Sequence, residues 1–395
     1  MTARRSAVIL ERGAGRSWRD ASGARLGQLD GWDLTIVTDR VSGAPVEGVR
    51  TIAIGDFTAD RVRDAVTTVL AGGPIDRLST TSENYLATIA GLRETLGVTG
   101  PGIEYTQRLR DKWSMKQTAR AAGLRTLDGA LAPDALEWAD ARADRPLVLK
   151  PRSGSGSQGV RVLASRDALA AEISDLTEPS DFLVEPYLEA DILHVDVVVH
   201  GGSSLIEVSR YLRPCHVSGG AVPLSSATVE PGALRDSVDD AVALMIAAWQ
   251  IESDVLHIEF FAGHEGVTLL EVAGRPGAAG VSEVFRTTRG LDLHHAKTLA
   301  DLGLDPFSAR QEPIAPYGGW SVFYAPTDAP ALVDDAGLDA HRTRTVLSPG
   351  TPRIDGIAGL GVATYSFSGA TPDEVLAVIE RYERDVVVTS AGSGR

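Results

Sequence analysis

The chain has 395 residues, and its 38 Lys and Arg residues against 53 Asp and Glu residues leave a formal charge of −15. This length allows about two or three domains, and 43% apolar with 23% charged residues is typical of a globular chain rather than a disordered one. The acidic balance argues against nucleic acid and anionic membranes as partners, because both require an excess of Lys and Arg.

Cysteine content and hydropathy favour a cytoplasmic protein. Cys215 is the only cysteine in the sequence, which excludes an intrachain disulfide and a Cys-rich zinc site. The first residues contain no long apolar run of the signal-peptide kind. The longest apolar stretch, 241–249, is far shorter than the ~20 residues that cross a bilayer. We therefore expect a cytoplasmic location without a membrane partner, and the sequence leaves open whether the chain forms a homodimer.

The N-terminal part of the chain predicts an α/β domain. Short β-branched apolar runs at 7–10, 34–37 and 51–54 are typical of strands that are covered on both faces. Helical patterns over 60–70 and 82–96 lie between or after these runs. Alternation of strands and helices at this spacing indicates a parallel sheet.

A glycine-rich loop between two predicted strands indicates phosphate binding. After a helix predicted over 106–122, the strands 147–150 and 160–163 flank the segment 154–159, which matches G-x-G-x-x-G. A dinucleotide-binding loop of that pattern would run directly into a helix, whereas a β-like run follows here. Glycines let a loop bring backbone N–H groups close to phosphates. The alternative is an exposed hairpin tip, but Lys150 at the strand end favours phosphate.

The segment 209–226 is a candidate substrate loop. Its Arg213 can hold a carboxylate with two hydrogen bonds, and His216 and Gly219 lie a few residues further on. The alternative, an ordinary surface loop, stays open at this point. A catalytic role for Cys215 is not favoured, because adjacent side chains on an extended chain point apart and His216 would face away from it.

Two glutamates on neighbouring predicted strands indicate a magnesium site. The runs 256–261 and 267–272 alternate like the strands of a hairpin and carry Glu259 and Glu271. Carboxylates among apolar residues are costly to bury unless a cation balances them. Mg²⁺ prefers carboxylate and phosphate oxygens. The alternative is a surface hairpin in which Glu271 forms an ordinary pair with Arg275.

Three further segments complete the pattern. An amphipathic helix is predicted over 234–249, before the hairpin. After the hairpin, the loop 276–280 allows a substrate to approach closely at Gly277. A final helix is predicted over 371–384, with Thr371 as its N-cap.

In their order and spacing, these motifs resemble the ATP-grasp family over about residues 105–300. The segments that carry the likeness are Asp111-Lys112 with Met115 and Gly123, Lys150-Pro151 with the glycine-rich loop, Glu185-Pro186-Tyr187-Leu188, and Glu259 with Glu271 and Arg275. The resemblance implies an α/β fold with α+β lobes. An N-terminal Rossmann-like, pre-ATP-grasp domain over 1–105 would precede a two-lobed ATP-grasp fold, with a small lobe over 106–185 and a large lobe with a C-terminal extension over 186–395.

The resemblance also implies ATP and Mg²⁺, or Mn²⁺, as cofactors. Lys112 and Lys150 would hold the ATP phosphates, and Glu259 and Glu271 would bind the metal ion. Arg275 would be catalytic, because a pre-aimed cation stabilises the charge that develops on the acyl phosphate. The other nucleotide contacts would come from Ser153, Gly154, Ser155, Gly156, Ser157, Gly159, Glu185, Tyr187, Leu188, Asp191 and His194. For His194, a hydrogen-bonded core position is the open alternative.

The activity implied by the resemblance is carboxylate–amine ligation, in the L-amino acid ligase branch of the family. A carboxylate would attack ATP to give an acyl phosphate and ADP, and an amine would then displace phosphate. Both substrates would be small molecules such as amino acids, contacting Arg213, His216, Gly219, Arg275 and Gly277. Ala273 replaces an Asn that is common at this position in the family. This difference leaves a degenerate nucleotide-binding module open as an alternative. A small-molecule kinase that carries out no ligation is a second open alternative.

Overall fold

The structure is a computed structural model, and it describes residues 4–12, 16–20, 22–39, 45–140, 145–215, 218, 222–264, 266–325, 331–335, 338, 343–346 and 361–390. Its secondary structure falls into three main sheets, one from the N-terminal region and two from the rest of the chain. Within these residues, every helix is too short or too polar to traverse a lipid bilayer.

The N-terminal domain contains the four-stranded parallel sheet that the strand–helix alternation predicts. Its elements are β1 (Arg5–Leu10), β2 (Trp32–Thr38), β3 (Val49–Ala53), α1 (Ala59–Leu70), β4 (Arg77–Thr80) and α2 (Glu83–Leu96). The strand order is β3-β2-β1-β4, and each neighbouring pair is parallel. Val66 of α1 and Ile89 of α2 pack on Val8 and Leu10 of the central strand, which fixes both helices to the sheet.

The small lobe is a four-stranded antiparallel sheet with flanking helices. Its elements are α3 (Ile103–Arg108), α4 (Lys112–Ala121), β5 (Ala130–Leu131), α5 (Ala135–Asp140), β6 (Leu147–Pro151), β7 (Arg161–Leu163), α6 (Arg166–Ser174) and β8 (Phe182–Pro186). The order is β5-β8-β6-β7. The glycine-rich loop connects β6 to β7 and therefore stands at the tip of this sheet.

The single helix predicted over 106–122 is wrong, because the chain forms α3 and α4 instead. The side chain of Asp111 accepts hydrogen bonds from the backbone N–H groups of Trp113 and Ser114. An aspartate in this position satisfies N–H groups that have no partner within a helix, so it starts a new helix rather than continuing the old one. As a result, Lys112 is the first residue of α4.

The large lobe is an eight-stranded antiparallel sheet. Its elements are β9 (Ile192–His200), β10 (Ser203–Tyr211), β11 (Leu224–Thr228), α7 (Ala233–Trp249), β12 (Ser253–Gly263), β13 (Gly266–Ala273), α8 (Val281–Arg289), α9 (Leu293–Asp301), β14 (Tyr317–Tyr324), β15 (Ala331–Asp334), β16 (Thr343–Val346), β17 (Gly361–Gly369), α10 (Pro372–Asp385) and β18 (Val387–Ser390). The order is β13-β12-β9-β10-β11-β14-β17-β16, while β15 pairs with β18. The predicted helices near 234–249 and 371–384 and the predicted hairpin are confirmed as α7, α10 and β12–β13.

The two faces of the large sheet differ in chemistry. Val195 and Val197 of β9 pack with Val242 and Met245 of α7 in one apolar core. Because side chains alternate along a strand, His194 and Asp196 of β9 lie on the opposite face. The same alternation on β12 places His257 and Glu259 on that polar face. The polar face is where the candidate active site lies.

Candidate active site

A cavity of about 820 Å³ lies between the small and large lobes. The small lobe contributes the glycine-rich loop and the segment after β8, and the large lobe contributes its polar sheet face. Asn84 of the N-terminal domain also lines it. Three parts of the chain that are far apart in sequence therefore form one cavity.

The two predicted metal ligands face each other across the β12–β13 hairpin. Glu259 is the cross-strand partner of Glu271, and a register shift follows Glu259. Directly opposed residues of an antiparallel pair have Cβ atoms about 4.5–5.5 Å apart. The hydroxyl of Tyr211 donates to Glu259 Oε1 at 3.0 Å, and Lys112 Nζ is 3.1 Å from Glu271 Oε2.

The electrostatic surroundings keep Glu271 ionised. Burial alone would raise the pKa of its carboxyl group, but Lys112 and Lys150 lower that pKa below its ordinary value. Two opposed carboxylates of this kind are the hard oxygen ligands that Mg²⁺ binds together with phosphate oxygens. The residues present thus fit a magnesium ion shared with a nucleotide. Ala273 has no ligand atom in its side chain, so it adds nothing to this donor set.

Lys112 joins helix α4 to the glycine-rich loop. Its backbone N–H donates to the carbonyl of Arg152 at 2.9 Å, and its ammonium group donates to the carbonyl of Gly154, also at 2.9 Å. The start of the helix, the loop and Glu271 therefore meet at one lysine. This position at the mouth of the loop suits a phosphate contact.

Lys150 belongs to a buried ion cluster with Glu185 and Lys116, and Lys116 was not predicted as a site residue from the sequence. Glu185 Oε2 is 2.6 Å from Lys150 Nζ, and Glu185 Oε1 is 2.5 Å from Lys116 Nζ. Burial, with repulsion from Lys150, lowers the pKa of Lys116 to about 8. The available signal was spacing, because Lys116 lies one helical turn after Lys112 and shares its face.

The glycine-rich loop has a backbone that requires small residues. Gly156 and Gly159 have φ angles of +62° and +68°, a region that favours glycine. A Cβ on Gly159 would lie 2.9 Å from Pro151 Cγ. Residues 154–158 line the cavity, which brings Gly154, Ser155, Gly156 and Ser157 to it, whereas Ser153 and Gly159 are not among its described lining residues.

The segment 185–188, which was predicted to contact the nucleotide, lines the cavity, but two of its hydrogen-bonding groups already have partners within the protein. The backbone N–H of Tyr187 donates to the carbonyl of Pro146 at 2.8 Å, and both carboxylate oxygens of Glu185 contact lysines. Leu188 and Asp191 also line the cavity. Asp191 is exposed and lies 3.3 Å from Arg210, so it remains reachable for a polar ligand such as a ribose hydroxyl.

The structure places His194 in the hydrogen-bonded core. Its Nδ1 lies 3.0 Å from Asp196 Oδ2 and its Nε2 lies 2.7 Å from Ser226 Oγ. With both ring nitrogens paired and 1% of the residue exposed, His194 is not among the described residues that line the cavity. The core alternative for His194 therefore accounts for its position, and the predicted contact with the nucleotide does not.

His257 is a cavity residue that the sequence interpretation missed. Its Nδ1 is 2.8 Å from Asp196 Oδ1, and its Nε2 is 3.8 Å from Glu259 Oε1. Burial alone would lower the pKa of this imidazole, but the charge and the hydrogen bond of Asp196 act in the opposite direction. The pKa of His257 is therefore raised, to about 9. A Cβ on Gly277 would lie 2.7 Å from His257 Nδ1, so Gly277 allows the loop to pack on this pair. The signal was the alternation that puts His257 on the same face as Glu259.

Arg275 is held by the N-terminal domain. Its Nε and Nη2 donate to Glu83 Oε2 at 2.8 and 2.6 Å, and its Nη1 donates to the carbonyl of Pro276. Burial lowers the pKa of a guanidinium group, but Glu83 raises that of Arg275 above its ordinary value. Arg275 lines the cavity as a permanently charged, anchored cation.

The predicted substrate residue Arg213 is already paired. Its two terminal nitrogens lie 2.6 and 2.7 Å from the two carboxylate oxygens of Glu383 on α10. It is not among the described lining residues of the cavity. A bidentate ion pair occupies both terminal nitrogens of a guanidinium group. Arg213 therefore makes a structural contact where a substrate contact was predicted. His216 and Gly219 lie outside the described residues.

Comparisons with known proteins connect this geometry to a known fold. No family model matches the chain. The structure matches that of an L-amino acid ligase from Bacillus licheniformis with a TM-score of 0.76 and 14% identity, over all of both chains. The chain has the ATP-grasp fold. Another structure that it matches is the biotin carboxylase domain of 2-oxoglutarate carboxylase from Hydrogenobacter thermophilus, in complex with ADP magnesium salt. That match has a TM-score of 0.72 and 15% identity over 99% of this chain and 92% of that one.

The curated proteins that this chain resembles in sequence are amino acid ligases. An L-arginine-specific L-amino acid ligase from Bacillus subtilis is 22% identical over 250 residues, which are 60% of each chain. An alanine–anticapsin ligase from the same organism is 25% identical over 125 residues, 31% of this chain and 26% of that protein. The chain thus spans 60% of the length of the first relative and about a quarter of the second.

Proposed function

We propose that this protein is an ADP-forming carboxylate–amine ligase that joins two amino acids or peptide-like small molecules. The observation that carries the proposal is the convergence of Lys112, Lys150, Glu259 and Glu271 with Arg275 around one cavity. The ligase relatives support amino acids as the substrate class.

The proposed reaction needs no nucleophile from the protein. A carboxylate oxygen of the donor attacks the γ-phosphorus of ATP, the bond from that phosphorus to the bridging oxygen breaks, and ADP leaves. The amine of the acceptor then attacks the acyl carbon, phosphate leaves with one former carboxylate oxygen, and the amine loses a proton. Reactions of this type depend on positioning and electrostatic stabilisation by the protein.

Each cavity residue has a specific part in this proposal. Lys112 and Lys150 hold the phosphates, and the glycine-rich loop covers them with backbone N–H groups. Glu259 and Glu271 hold Mg²⁺, which when bound neutralises charge on the phosphates. Arg275, anchored by Glu83, stabilises the negative charge of the acyl phosphate and of the tetrahedral species that follows. Asp191 binds the ribose.

Incubation of the protein with Mg·ATP and pairs of amino acids tests the proposal. We expect ADP release that depends on both amino acids, together with a product of dipeptide mass. Hydroxylamine in place of the acceptor should give the hydroxamate of the donor. Glu271→Gln is the matched control, because it keeps the size of the side chain and removes its charge; it should lose the activity and still fold.

Two other results would contradict the ligase proposal. A stable phosphorylated product without hydroxamate would indicate a kinase. Tight ATP binding without substrate-dependent ADP release would indicate a degenerate nucleotide-binding module.

A further inference from the structure

The cavity has a charged end and an uncharged end. The charged residues around the glutamate pair come from the small lobe and from β12–β13, at one edge of the large sheet. The other end is formed by β10, β11 and β14, and its side chains are Tyr211, Leu224, Trp320, Val322 and Tyr324, here called the aromatic pocket. Strand β14 lies four strands from β12, or about 19 Å across a sheet.

The sheet register places the aromatic pocket on the same polar face as the glutamates. Trp320, Val322 and Tyr324 are alternate residues of β14, so their side chains share a face. Leu224 of β11 is the cross-strand partner of Val322. Apart from Leu224, the side chains of the pocket are at least nine-tenths buried, and all five belong to or pack on one apolar cluster. The pocket is therefore a preformed apolar surface that opens to the cavity.

Tyr211 connects the aromatic pocket to the proposed metal site. Its hydroxyl donates to Glu259 Oε1 at 3.0 Å. Its ring meets the ring of Trp320 edge-on, with centroids 6.1 Å apart and an interplanar angle of 84°. A molecule whose carboxylate lies beside Glu259 would therefore have its next atoms at the entrance of the pocket.

The aromatic pocket is unfavourable for a charged side chain of a substrate. Among its described residues there is no charged side chain, and the described cavity-lining residues next to it on β17, 361–364, are also uncharged. A charged group that enters such a surface loses water without gaining an opposite charge, which is costly. Aromatic faces attract cations, but the carboxylate that Tyr211 contacts, Glu259, is assigned above to the metal ion and would not pair with a cationic side chain.

We propose that the aromatic pocket binds the side chain of the carboxylate-donating amino acid, and that this donor is a large apolar or aromatic amino acid. The proposal rests on the ligase function proposed above and makes it more specific. The donor, rather than the acceptor, fits because its carboxylate must reach the γ-phosphate beside Glu259. In an apolar pocket, each matching methylene changes kcat/KM by about 10-fold or more.

A donor screen with hydroxylamine as the acceptor tests this assignment. Hydroxylamine traps the acyl phosphate of the donor alone, so the hydroxamate yield reports donor choice without any influence of the second substrate. We expect leucine, methionine and phenylalanine to exceed alanine by about 100-fold in kcat/KM, and arginine and glutamate to be still poorer donors.

Two substitutions at Leu224 should change the donor ranking in opposite ways. Leu224→Trp fills the pocket, so large donors should lose a much larger share of their rate than alanine does. Leu224→Glu adds a carboxylate to the pocket, so arginine and lysine should gain relative to leucine. Leu244→Glu is the matched control, because Leu244 lies 47% exposed on α7, is not one of the described cavity-lining residues, and should leave the ranking unchanged. Thermal melting shows that each variant folds.

The possible failures are distinguishable. A wild-type preference for arginine, glutamate or alanine as donor, or a donor ranking that neither Leu224 variant changes, would overturn the pocket assignment and leave the ligase function standing. Absence of both hydroxamate and ADP release with every donor would overturn the ligase function and the pocket assignment together.

Discussion

Glu185 has an ammonium group against each of its two carboxylate oxygens, one from Lys116 and one from Lys150, and all three side chains are buried. Burial alone would raise the pKa of Glu185, but the two lysines lower it below its ordinary value. The carboxylate therefore stays ionised and positions Lys150 at the cavity. Each charge in this cluster depends on its neighbours, because an unpaired buried charge is costly.

Replacing Glu185 by Gln should be strongly destabilising. The amide would leave two ammonium groups buried next to each other without a counter-charge, at a cost of about 3–5 kcal/mol in the free energy of unfolding. Lys116→Met should cost less, since Glu185 keeps its pair with Lys150. Urea unfolding of both variants measures the difference, and a Glu185→Gln variant within about 1 kcal/mol of wild type would contradict the role of this cluster.

Arg275 gives the second prediction at this scale. Arg275→Ala should lower kcat by about 100- to 1,000-fold, because it removes a charge aimed at the reacting groups. It also leaves the carboxylate of Glu83 without this partner, so the melting temperature should fall as well. Glu83→Gln keeps the cation and weakens only its anchor, so its effect on kcat should be smaller. Amino-acid-dependent ADP release measures both. Near-normal turnover of Arg275→Ala would contradict the catalytic assignment.

At the scale of elements, an ion pair and a hydrogen bond hold helix α10 to the large lobe. Glu383 on α10 binds Arg213 bidentately and also accepts a hydrogen bond from Ser225 of β11 at 2.5 Å. Burial alone would raise the pKa of Glu383, but these hydrogen bonds lower it below its ordinary value of 4.5. Arg213, which was predicted to contact a substrate, therefore has a structural role in this ion pair.

The stability that Glu383 contributes should depend on pH in a defined direction. A carboxylate whose pKa is lowered in the folded state stabilises the protein above its unfolded pKa and loses that effect as the pH falls through the folded value. Glu383→Gln should therefore cost about 1–2 kcal/mol at pH 7, and the difference from wild type should shrink as the pH falls below about 4.5. Urea midpoints from pH 7 to pH 3 check this; a difference that grows in acid would refute it.

Local patterns predicted the elements whose determinants lie close together in the chain. Alternating residues and a short turn predicted the β12–β13 hairpin, and strand pairing then places Glu259 opposite Glu271. A strand follows the glycine-rich loop, whereas a helix would follow a dinucleotide-binding turn. The sequence therefore predicted that this loop is not such a turn. Asp111 shows the limit, because a single capping side chain divided a stretch of helical periodicity into two helices.

Contacts between segments that are far apart in the chain could not be predicted from the sequence. Arg213 and Glu383 are 170 positions apart, and nothing local to either residue indicates the other. Lys116 and His257 looked like ordinary helix and strand residues until Glu185 and Asp196 were placed next to them. In each case the deciding partner comes from another element, so only the assembled fold shows which charges are already paired.

At the scale of the whole molecule, a buried ion network ties the N-terminal domain to the large lobe. Asp301 of α9 lies 3.2 Å from Arg93 of α2 and 3.1 Å from Lys297, and it accepts a hydrogen bond from Ser79 of β4. Lys297 is also 2.6 Å from Asp254 of β12. The network fixes α2, whose first residue, Glu83, anchors Arg275 in the cavity. Domain packing and active-site geometry are therefore coupled.

Asp301→Asn should weaken this coupling. It leaves Arg93 and Lys297 buried with less negative charge, so we expect a loss of about 3 kcal/mol or more in the free energy of unfolding. Asp60→Asn is the matched control, because Asp60 is exposed in an ordinary surface pair with Arg63 and should change stability by about 0.5 kcal/mol at most. Equal stability of the two variants in urea would show that the network does not hold the domains together.

Oxygen tracing tests the central claim most directly. A donor amino acid labelled with ¹⁸O in its carboxylate is incubated with an acceptor, Mg·ATP and the wild-type protein, and the released phosphate is analysed by mass spectrometry. We predict one ¹⁸O atom in each phosphate, formed together with ADP and the amide product. Unlabelled phosphate accompanying ATP consumption would contradict attack of the carboxylate on ATP in this cavity.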